Sequence, residues 1–303
     1  MLSVTKRLFL GVSIAATAAC LLPALAFAEM RNSETSATTT NAYVMPETEV
    51  WDMETAHGDK YRLYVSRPEG DAPDGGYPVL YVLDGNAMFA GFAEARRIQS
   101  VYNSGLDKMI VVAIGYPNNE LYDGRRMDDF TPSIKNPELK ALYKDYASGG
   151  RDDFLKFLLE QVRPEIANRY PVNEDRQSLF GHSLGGLFAL HVLYSNPGAF
   201  HSIIAASPTI WWDDQFILAE ERAYAERIKK NRLLGAASRV FIYTGELEET
   251  PVTVSDSIAL GKRLETLSAY GLRSEYEILD GETHITVPSR AVTKTLRAAM
   301  QWP

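Results

Sequence analysis

The chain has 303 residues, of which 46% are hydrophobic and 23% charged, an ordinary globular composition that allows one large α/β domain or two small ones. The formal net charge of −8 at pH 7 argues against a general nucleic-acid-binding protein and offers no basic patch for anionic lipid.

Residues 1–28 have the pattern of a secretory signal peptide. Two basic residues precede a largely apolar run over 8–25, and an A-x-A cleavage site ends at Ala28. A retained membrane anchor is the alternative, which Pro23 and the small residues at the exit disfavour. Cleavage would remove two positive charges and no acidic residue, taking the charge from −8 to −10, and would also remove Cys20, the one cysteine. We expect an exported protein without disulfides and with no membrane span after cleavage.

The first half of the chain predicts the start of a mainly parallel sheet. Residues 29–45 are rich in Ser, Thr and Asn and predict a flexible leader before a domain over 46–303. The element predictions, in chain order, are strands over 47–54 and 60–67, buried strands over 78–84 and 109–114, and a helix of about fifteen residues following Phe89.

An irregular segment over 116–150 follows the fourth predicted strand. A connection of this length without periodicity is usually functional or disordered, and we expect it to form a substrate-facing rim. A helix is predicted over 151–170, with a kink at Pro164.

The sequence Gly181-His-Ser-Leu-Gly185 lies between a short apolar run at 178–180 and an apolar helix. A G-x-S-x-G motif between a strand and a helix is the nucleophile elbow of an α/β-hydrolase. Strands over 201–206, 239–245 and 274–279 and helices over 215–236 and 255–269 follow, before a terminal helix. We therefore predict an α/β-hydrolase fold: an eight-stranded, mostly parallel sheet with helices on both faces and ligands at the carboxyl ends of the strands.

A serine hydroxyl needs a base within hydrogen-bond reach. His284 lies in a loop after the last predicted strand, where this fold places its catalytic histidine. The other four histidines, at positions 57, 182, 191 and 201, are interpreted as structural, and we expect the side chain of His182 to point away from the cleft. Ser183 is thus predicted to be the nucleophile and His284 the general base.

The acid of a triad should follow the strand that ends at Gly245. Glu248 is the preferred residue, and Glu246 and Glu249 are its rivals. Alternatively, all three form a solvated acidic loop and the site is a Ser–His dyad. The oxyanion hole is assigned to the backbone amides of Leu184 and Asn86.

Four residues are the candidate substrate contacts: Arg125, Arg126, Trp211 and Trp212. Arginine offers bidentate hydrogen bonds and stacking, and tryptophan suits an aromatic ligand. Surface arginines paired with nearby aspartates and tryptophans buried in the core are the alternatives. No metal site or cofactor is predicted, since the chain has neither H-E-x-x-H nor a His/Cys cluster.

Five stretches of the chain resemble one branch of the α/β-hydrolases. They are Leu83-Asp-Gly-Asn86, Arg126-Met-Asp-Asp-Phe-Thr-Pro132, Ser148-Gly-Gly-Arg-Asp-Asp-Phe154, Phe180-Gly-His-Ser-Leu-Gly-Gly-Leu-Phe188 and Ser207-Pro-Thr-Ile-Trp-Trp212. They are similar to the esterase-D-like family, and within it most similar to the siderophore (enterobactin-type) trilactone esterases. The resemblance runs from about residue 47 to the C-terminus.

The resemblance implies hydrolysis of the esters of a cyclic tri-catecholate, with the ferric complex expected as substrate. It supports Ser183 and His284 as catalytic residues and Asn86 and Leu184 as the oxyanion hole, while family members that use a dyad leave Glu248 open. The signal peptide, which the cytoplasmic members lack, would place this protein in the periplasm. A ferric tri-catecholate is anionic, so local arginines should offset the negative protein, and the candidates are Arg96, Arg125, Arg126 and Arg151.

Two other functions are consistent with the sequence. The first is an exported esterase for another aromatic or acyl ester, such as a feruloyl-type or S-acyl ester. The second is a non-catalytic member of the fold that binds a ligand without turnover, which the intact Ser183, His284 and Asp84-Gly85-Asn86 disfavour. The sequence predicts no oligomeric state.

Overall fold

The computed structural model describes residues 43–101 and 108–300. The predicted signal peptide and most of the predicted leader lie outside the described residues. The chain separates into two units. Of the first, residues 1–44, only Tyr43 and Val44 are described, and both are exposed. The second, residues 45–303, contains all the described helices and strands.

The strands of the described residues form one sheet. Their bounds are β1 Thr48–Glu54, β2 Lys60–Ser66, β3 Tyr77–Val82, β4 Ile110–Gly115, β5 Val172–His182, β6 Ser202–Ala206, β7 Arg239–Gly245 and β8 Arg273–Leu279. The spatial order is β1-β2-β4-β3-β5-β6-β7-β8, in which β2 is antiparallel to β1 and β4 and all other neighbours are parallel. The predicted eight-stranded, mostly parallel α/β sheet is confirmed.

Helices connect the parallel strands. Their bounds are α1 Gly85–Gln99, α2 Arg126–Phe130, α3 Pro137–Leu142, α4 Arg151–Phe157, α5 Arg163–Arg169, α6 Leu184–Ser195, α7 Trp212–Gln215, α8 Ile217–Lys230, α9 Arg232–Ala236, α10 Pro251–Glu265 and α11 Val287–Met300, with a π-helical segment at Leu158–Val162 and a 3₁₀ turn at Ser268–Tyr270.

The sheet separates two hydrophobic cores. One contains inward-facing side chains of α6, α8 and α10, and the other those of α1 and α11. Because helices cover both faces, β3 and β4 are buried along their whole length. This explains why their sequences are continuous apolar runs rather than alternating patterns.

Two element boundaries differ from the sequence prediction, one because of strand pairing and the other because of a local backbone conformation. Strand β5 begins at Val172, not near residue 178, since Tyr77 of β3 pairs with Val172 despite the polar residues that follow. Helix α1 begins at Gly85, not after Phe89, because Asp84, two residues after the end of β3, adopts the left-handed conformation, with φ 56°, and its carbonyl accepts the first helical amides. Asn86 therefore lies in the first turn of a helix.

The irregular segment over 116–150 and the helix after it are also more structured than predicted. The segment contains α2 and α3, and the Asn136 side chain caps α3 by accepting from the amides of Glu138 and Leu139. The predicted helix over 151–170 is interrupted by the π-helical segment, which ends two residues before Pro164. Proline has no amide hydrogen for the preceding turn, and a widened turn accommodates it.

The parallel order places the functional candidates at one edge of the sheet. Strands β3, β5, β6, β7 and β8 all run in the same direction, so the loops that begin after residues 82, 182, 206, 245 and 279 emerge together. Open α/β sheets bind their ligands at this edge.

Candidate active site

Ser183 lies at the apex of a sharp turn between β5 and α6, with a backbone φ of 59°. The turn is so tight that a Cβ at Gly181 would lie 2.1 Å from the carbonyl oxygen of Gly185, and glycine is therefore required there. The Ser183 amide donates to the Ala206 carbonyl at 3.0 Å, which anchors the turn to β6. The strained turn presents the Ser183 hydroxyl to a cleft at the carboxyl edge of the sheet.

His284 approaches Ser183 from the loop between β8 and α11. Its Nε2 lies 3.0 Å from Ser183 Oγ, and its Nδ1 lies 2.7 Å from Glu248 Oε2. Because an ionised carboxylate only accepts hydrogen bonds, Nδ1 carries the imidazole proton and Nε2 is the acceptor for the serine hydroxyl. The three side chains thus have the geometry of a Ser–His–Glu triad.

Glu248 is buried and is fixed by three donors. Besides the His284 ring, the Ser207 hydroxyl donates to Oε1 at 2.5 Å and the Gly245 amide donates to the same oxygen at 3.3 Å. Burial alone would raise the pKa of Glu248, but the hydrogen bonds from His284 and Ser207 outweigh it, and the pKa is lowered. Glu248 is therefore ionised at neutral pH and can stabilise a protonated imidazole.

The other two glutamates of this loop contact backbone atoms of the loop that carries His284. Glu249 Oε2 accepts from the His284 amide at 3.2 Å, and Glu246 Oε2 accepts from the Gly281 amide at 3.0 Å. The structure therefore brings Glu248, and neither rival, to the imidazole ring. The acidic residues are engaged with protein donors rather than forming a purely solvated loop.

The two predicted oxyanion-hole residues lie in different surroundings. Leu184 lines the cleft, and as the first residue of α6 its amide has no acceptor within the helix. Asn86 is absent from the cleft lining. Its side chain is turned toward the end of β4, where Nδ2 donates to the carbonyls of Tyr116 and Asn118 and Oδ1 accepts from the Tyr116 amide. The assignment of both backbone amides to an oxyanion hole stays a prediction.

The cleft beside Ser183 has a volume of about 460 Å³. Three aromatic residues line it: Tyr143, Trp211 and Trp212. Trp212 is 2% exposed and packs against Tyr143 with ring centroids 5.1 Å apart, so it forms the floor, while Trp211 is partly exposed. Arg126 also lines the cleft. Three of the four predicted substrate contacts thus line the cleft beside Ser183.

Arg126 forms a buried ion pair with the loop that follows β3. Its Nε and Nη2 donate to the Asp84 carboxylate at 2.7 and 3.0 Å, and Nη2 also lies 3.4 Å from the His182 carbonyl. Burial would lower the pKa of Arg126, but Asp84 outweighs it, and the pKa is raised. The charge of Arg126 is therefore compensated within the protein.

The remaining candidate arginines do not reach the cleft. Arg125 stacks on the rings of Tyr61 and Tyr116 and lines a separate cavity, where it lies 3.6 Å from Asp129. Arg96 is fully buried against Glu47 at 2.6 Å, and Arg151 pairs with Glu220 at 3.0 Å. The structure does not bring these three side chains to Ser183, because each is held by an acidic partner elsewhere.

The four other histidines are distributed as follows. His57 is exposed at the separate cavity, and His201 precedes β6, away from the carboxyl edge. His191 is buried on α6, where Nδ1 lies 2.7 Å from Glu220. His182 is buried beside the site, and its Nε2 contacts the carbonyl oxygen of His284.

Sequence reasoning missed two side chains that complete the site. Ser207 holds Glu248, as described above, and Thr209 Oγ1 lies 3.3 Å from Ser183 Oγ. Both follow β6, whose carboxyl end is adjacent to that of β5. The sequence offered one signal for them: both are hydroxyl residues that follow β6, the strand beside β5.

Among residues 43–101 and 108–300, no group of three or more His, Cys, Asp or Glu side chains has metal-binding geometry. In the same part of the chain, none of the helices combines the length and apolar character that a bilayer crossing needs.

Comparisons with known proteins show the family of this chain. Residues 55–286 match the model of the family described as "Putative esterase". The ferri-bacillibactin esterase of Bacillus subtilis is 36% identical over 280 residues, covering 90% of this chain and 96% of the relative. The siderophore triacetylfusarinine C esterase of Aspergillus fumigatus is 31% identical over 287 residues, covering 86% of this chain and 95% of the relative.

A solved structure gives the same result for the fold. The BES protein from Bacillus cereus superposes with a TM-score of 0.79 and 34% sequence identity, over 87% of this chain and 98% of that protein.

Proposed function

We propose that this chain, which belongs to that esterase family and is a carboxylic-ester hydrolase with an α/β-hydrolase fold, hydrolyses the ester bonds of a catecholate siderophore trilactone. The proposal for the chemistry rests on one observation, the hydrogen-bonded series Ser183–His284–Glu248 facing the cleft. The proposal that the substrate is a siderophore rests on the names of the relatives. The choice of a catecholate trilactone rests on the sequence resemblance and on the aromatic lining of that cleft.

The proposed reaction follows from the positions of these side chains. Ser183 Oγ attacks the ester carbonyl while its proton passes to His284 Nε2, and Glu248 stabilises the resulting imidazolium. The Leu184 amide donates to the oxyanion, and the backbone amide of Asn86 is its proposed second donor. The imidazolium then protonates the departing alcohol. Water hydrolyses the acyl-enzyme by the same route, which releases the acid and restores Ser183.

The charges along the cleft favour an uncharged ester over an anionic ferric complex. Arg126 is neutralised by Asp84, and Glu249 adds a negative charge at the lining. A ferric tri-catecholate is anionic, whereas iron-free catechols keep their phenolic protons at neutral pH. The name of the Bacillus subtilis relative specifies a ferric substrate, and the name of the Aspergillus fumigatus relative does not mention iron. We therefore place the iron-free trilactone ahead of the ferric complex expected from the sequence.

The substrate test is a comparison of three esters with one purified protein. We expect the enzyme to cleave the iron-free trilactone to its catechol-acyl monomer with a higher kcat/KM than the ferric trilactone. The difference in kcat/KM should narrow as added salt screens the repulsion between the cleft and the anionic ferric complex. Faster cleavage of the ferric trilactone than of the iron-free one at low salt would contradict the argument that the cleft repels an anionic substrate, but it would leave the esterase activity standing. If a feruloyl ester is cleaved and neither trilactone is, the proposed substrate becomes another aromatic ester rather than a siderophore. Failure with all three would favour a non-catalytic binding protein.

Matched variants test the role of charge separately from the chemistry. Glu249→Gln removes the negative charge at the lining and should raise kcat/KM for the ferric trilactone more than for the iron-free one. Glu265→Gln makes the same change at the end of α10, outside the cleft lining, and should leave that ratio unaltered. If both variants change the ratio equally, the repulsion of the ferric trilactone comes from the net charge of the protein rather than from Glu249 at the cleft.

Export completes the proposed function. The pattern over 1–28 supports secretion and cleavage after Ala28, which would give a periplasmic protein that begins at Glu29. Mass spectrometry of the protein from a periplasmic fraction should find that N-terminus. A full-length chain that stays in the membrane fraction would instead support a retained anchor.

A further inference from the structure

His182 directly precedes the nucleophile and contacts the loop of the proposed base. Its Nε2 lies 2.9 Å from the backbone carbonyl oxygen of His284, and the two imidazole rings have centroids 4.6 Å apart. The side chain is 2% exposed. The dipeptide 182–183 therefore contacts His284 at two points, with the Ser183 hydroxyl at the ring and the His182 ring at the backbone.

The protonation state of His182 follows from its surroundings. A carbonyl oxygen only accepts, so His182 Nε2 carries the proton and donates it. Burial, and then the nearby His284 and Arg126, lower the pKa of His182 to about 3. His182 is thus a neutral donor at neutral pH.

The sequence explains why the His284 carbonyl needs a donor from outside its own segment. Helix α11 begins at Val287, and the amide that would close a helical turn on residue 284 belongs to position 288. Position 288 is proline, which has no amide hydrogen. The His182 ring supplies the hydrogen bond that this backbone position cannot obtain from the helix.

We propose that His182 is a positioning residue for catalysis: it holds the backbone of His284 so that Nε2 stays within reach of Ser183. The His284 amide is held by Glu249, its ring by Glu248 and its carbonyl by His182. Loss of the third contact frees one side of the loop, and a displacement of about 1 Å at a catalytic group can cost about 10²-fold in rate. The inference rests on the proposed role of His284 as base.

The decisive variants differ in reach rather than in polarity. In His182→Gln the side-chain amide can donate at nearly the position of Nε2, whereas His182→Asn is one methylene shorter and cannot. We expect the Asn variant to lose about 100-fold in kcat on an aryl ester, with KM changed less than about threefold, and the Gln variant to retain kcat within about tenfold. His182→Leu fills the volume without a donor and should resemble Asn.

Folding and pH dependence separate this role from a merely structural one. The control is His191→Leu, which removes another buried histidine of the same region and should leave kcat per folded molecule unchanged, with folding followed by circular dichroism. Since His182 is neutral, the acid limb of kcat/KM should lie at the same pH in the Gln variant and the wild type. If the Leu variant does not fold, the Gln and Asn pair decides.

Three results would overturn the proposal. They are full kcat in the folded Leu or Asn variant, a Gln variant as slow as Asn, or a displaced acid limb in the Gln variant. Full activity of His284→Ala would instead overturn the proposed function, because the base itself would then be misassigned.

Discussion

Glu248→Gln tests whether the acidic residue takes part in catalysis. In the structure, all three neighbours of the carboxylate are donors: the His284 Nδ1 proton, the Ser207 hydroxyl and the Gly245 amide. Glutamine must place its NH₂ group at the position of either Oε1 or Oε2. At the Oε1 position, the NH₂ group faces the Gly245 amide, so that two donors oppose each other. At Oε2 it donates to His284 Nδ1 and forces the proton onto Nε2, where it blocks acceptance from Ser183.

The expected loss is about 10³–10⁴-fold in kcat, which corresponds to about 4–5.5 kcal/mol of transition-state stabilisation. KM should change little, because Glu248 is buried behind His284 and is not part of the cleft lining. The assay is steady-state hydrolysis of an aryl ester, with His284→Ala as the reference for complete loss of the base.

The matched control is Glu246→Gln, the same chemical change two residues earlier. Glu246 is exposed and contacts only the Gly281 amide among the hydrogen bonds described above, so its variant should retain kcat within about threefold. A Glu248→Gln enzyme within about tenfold of wild type would refute this reasoning and leave a Ser–His dyad. Equal losses in both glutamine variants would indicate loop disruption rather than a tautomer effect.

Three further predictions concern stability. Gly181→Ala should either not fold at all or show a much lower melting temperature than the wild type in calorimetry, because its Cβ would overlap the Gly185 carbonyl. A wild-type melting temperature would contradict the described turn. Arg126→Met leaves Asp84 buried without an ionic partner and should lower the free energy of unfolding, measured by urea denaturation, by about 3–5 kcal/mol. A change below about 1 kcal/mol would mean that the ion pair is exposed to solvent. Burial raises the pKa of Asp129 from 3.8 to about 6, so the folded state binds the Asp129 proton more tightly than the unfolded state does. Stability should therefore fall by about 3 kcal/mol as pH rises from about 3 to about 7, a range that spans both pKa values. Asp129→Asn should lose that slope, and an unchanged slope would refute the assignment.

The fold was predictable because its signals are local. Continuous apolar runs at β3 and β4 indicate strands covered on both faces, and the glycines around Ser183 indicate a tight turn between a strand and a helix. The order of motifs along the chain then places Ser183 and His284 at the same edge of a parallel sheet. The structure places their reactive atoms 3.0 Å apart, although 101 positions separate them.

What the sequence could not predict depends on partners distant in the chain. Arg125 and Arg126 are adjacent, yet Arg125 pairs with Asp129 in a separate cavity and Arg126 pairs with Asp84 beside Ser183. The choice among the three glutamates after β7 likewise depends on where the loop after β8 lies, because each contacts a different atom of that loop. The first turn of α1 was missed because the conformation of Asp84, rather than a helical pattern, determines where the helix begins.

The account depends most directly on Ser183 being the nucleophile that His284 activates. Its clearest test is reaction with a fluorophosphonate, followed by intact-mass measurement and peptide mapping. We expect one adduct per chain, located on Ser183, absent in Ser183→Ala and formed at least about 100-fold more slowly in His284→Ala. An adduct on another residue, or undiminished labelling of Ser183→Ala, would contradict the account.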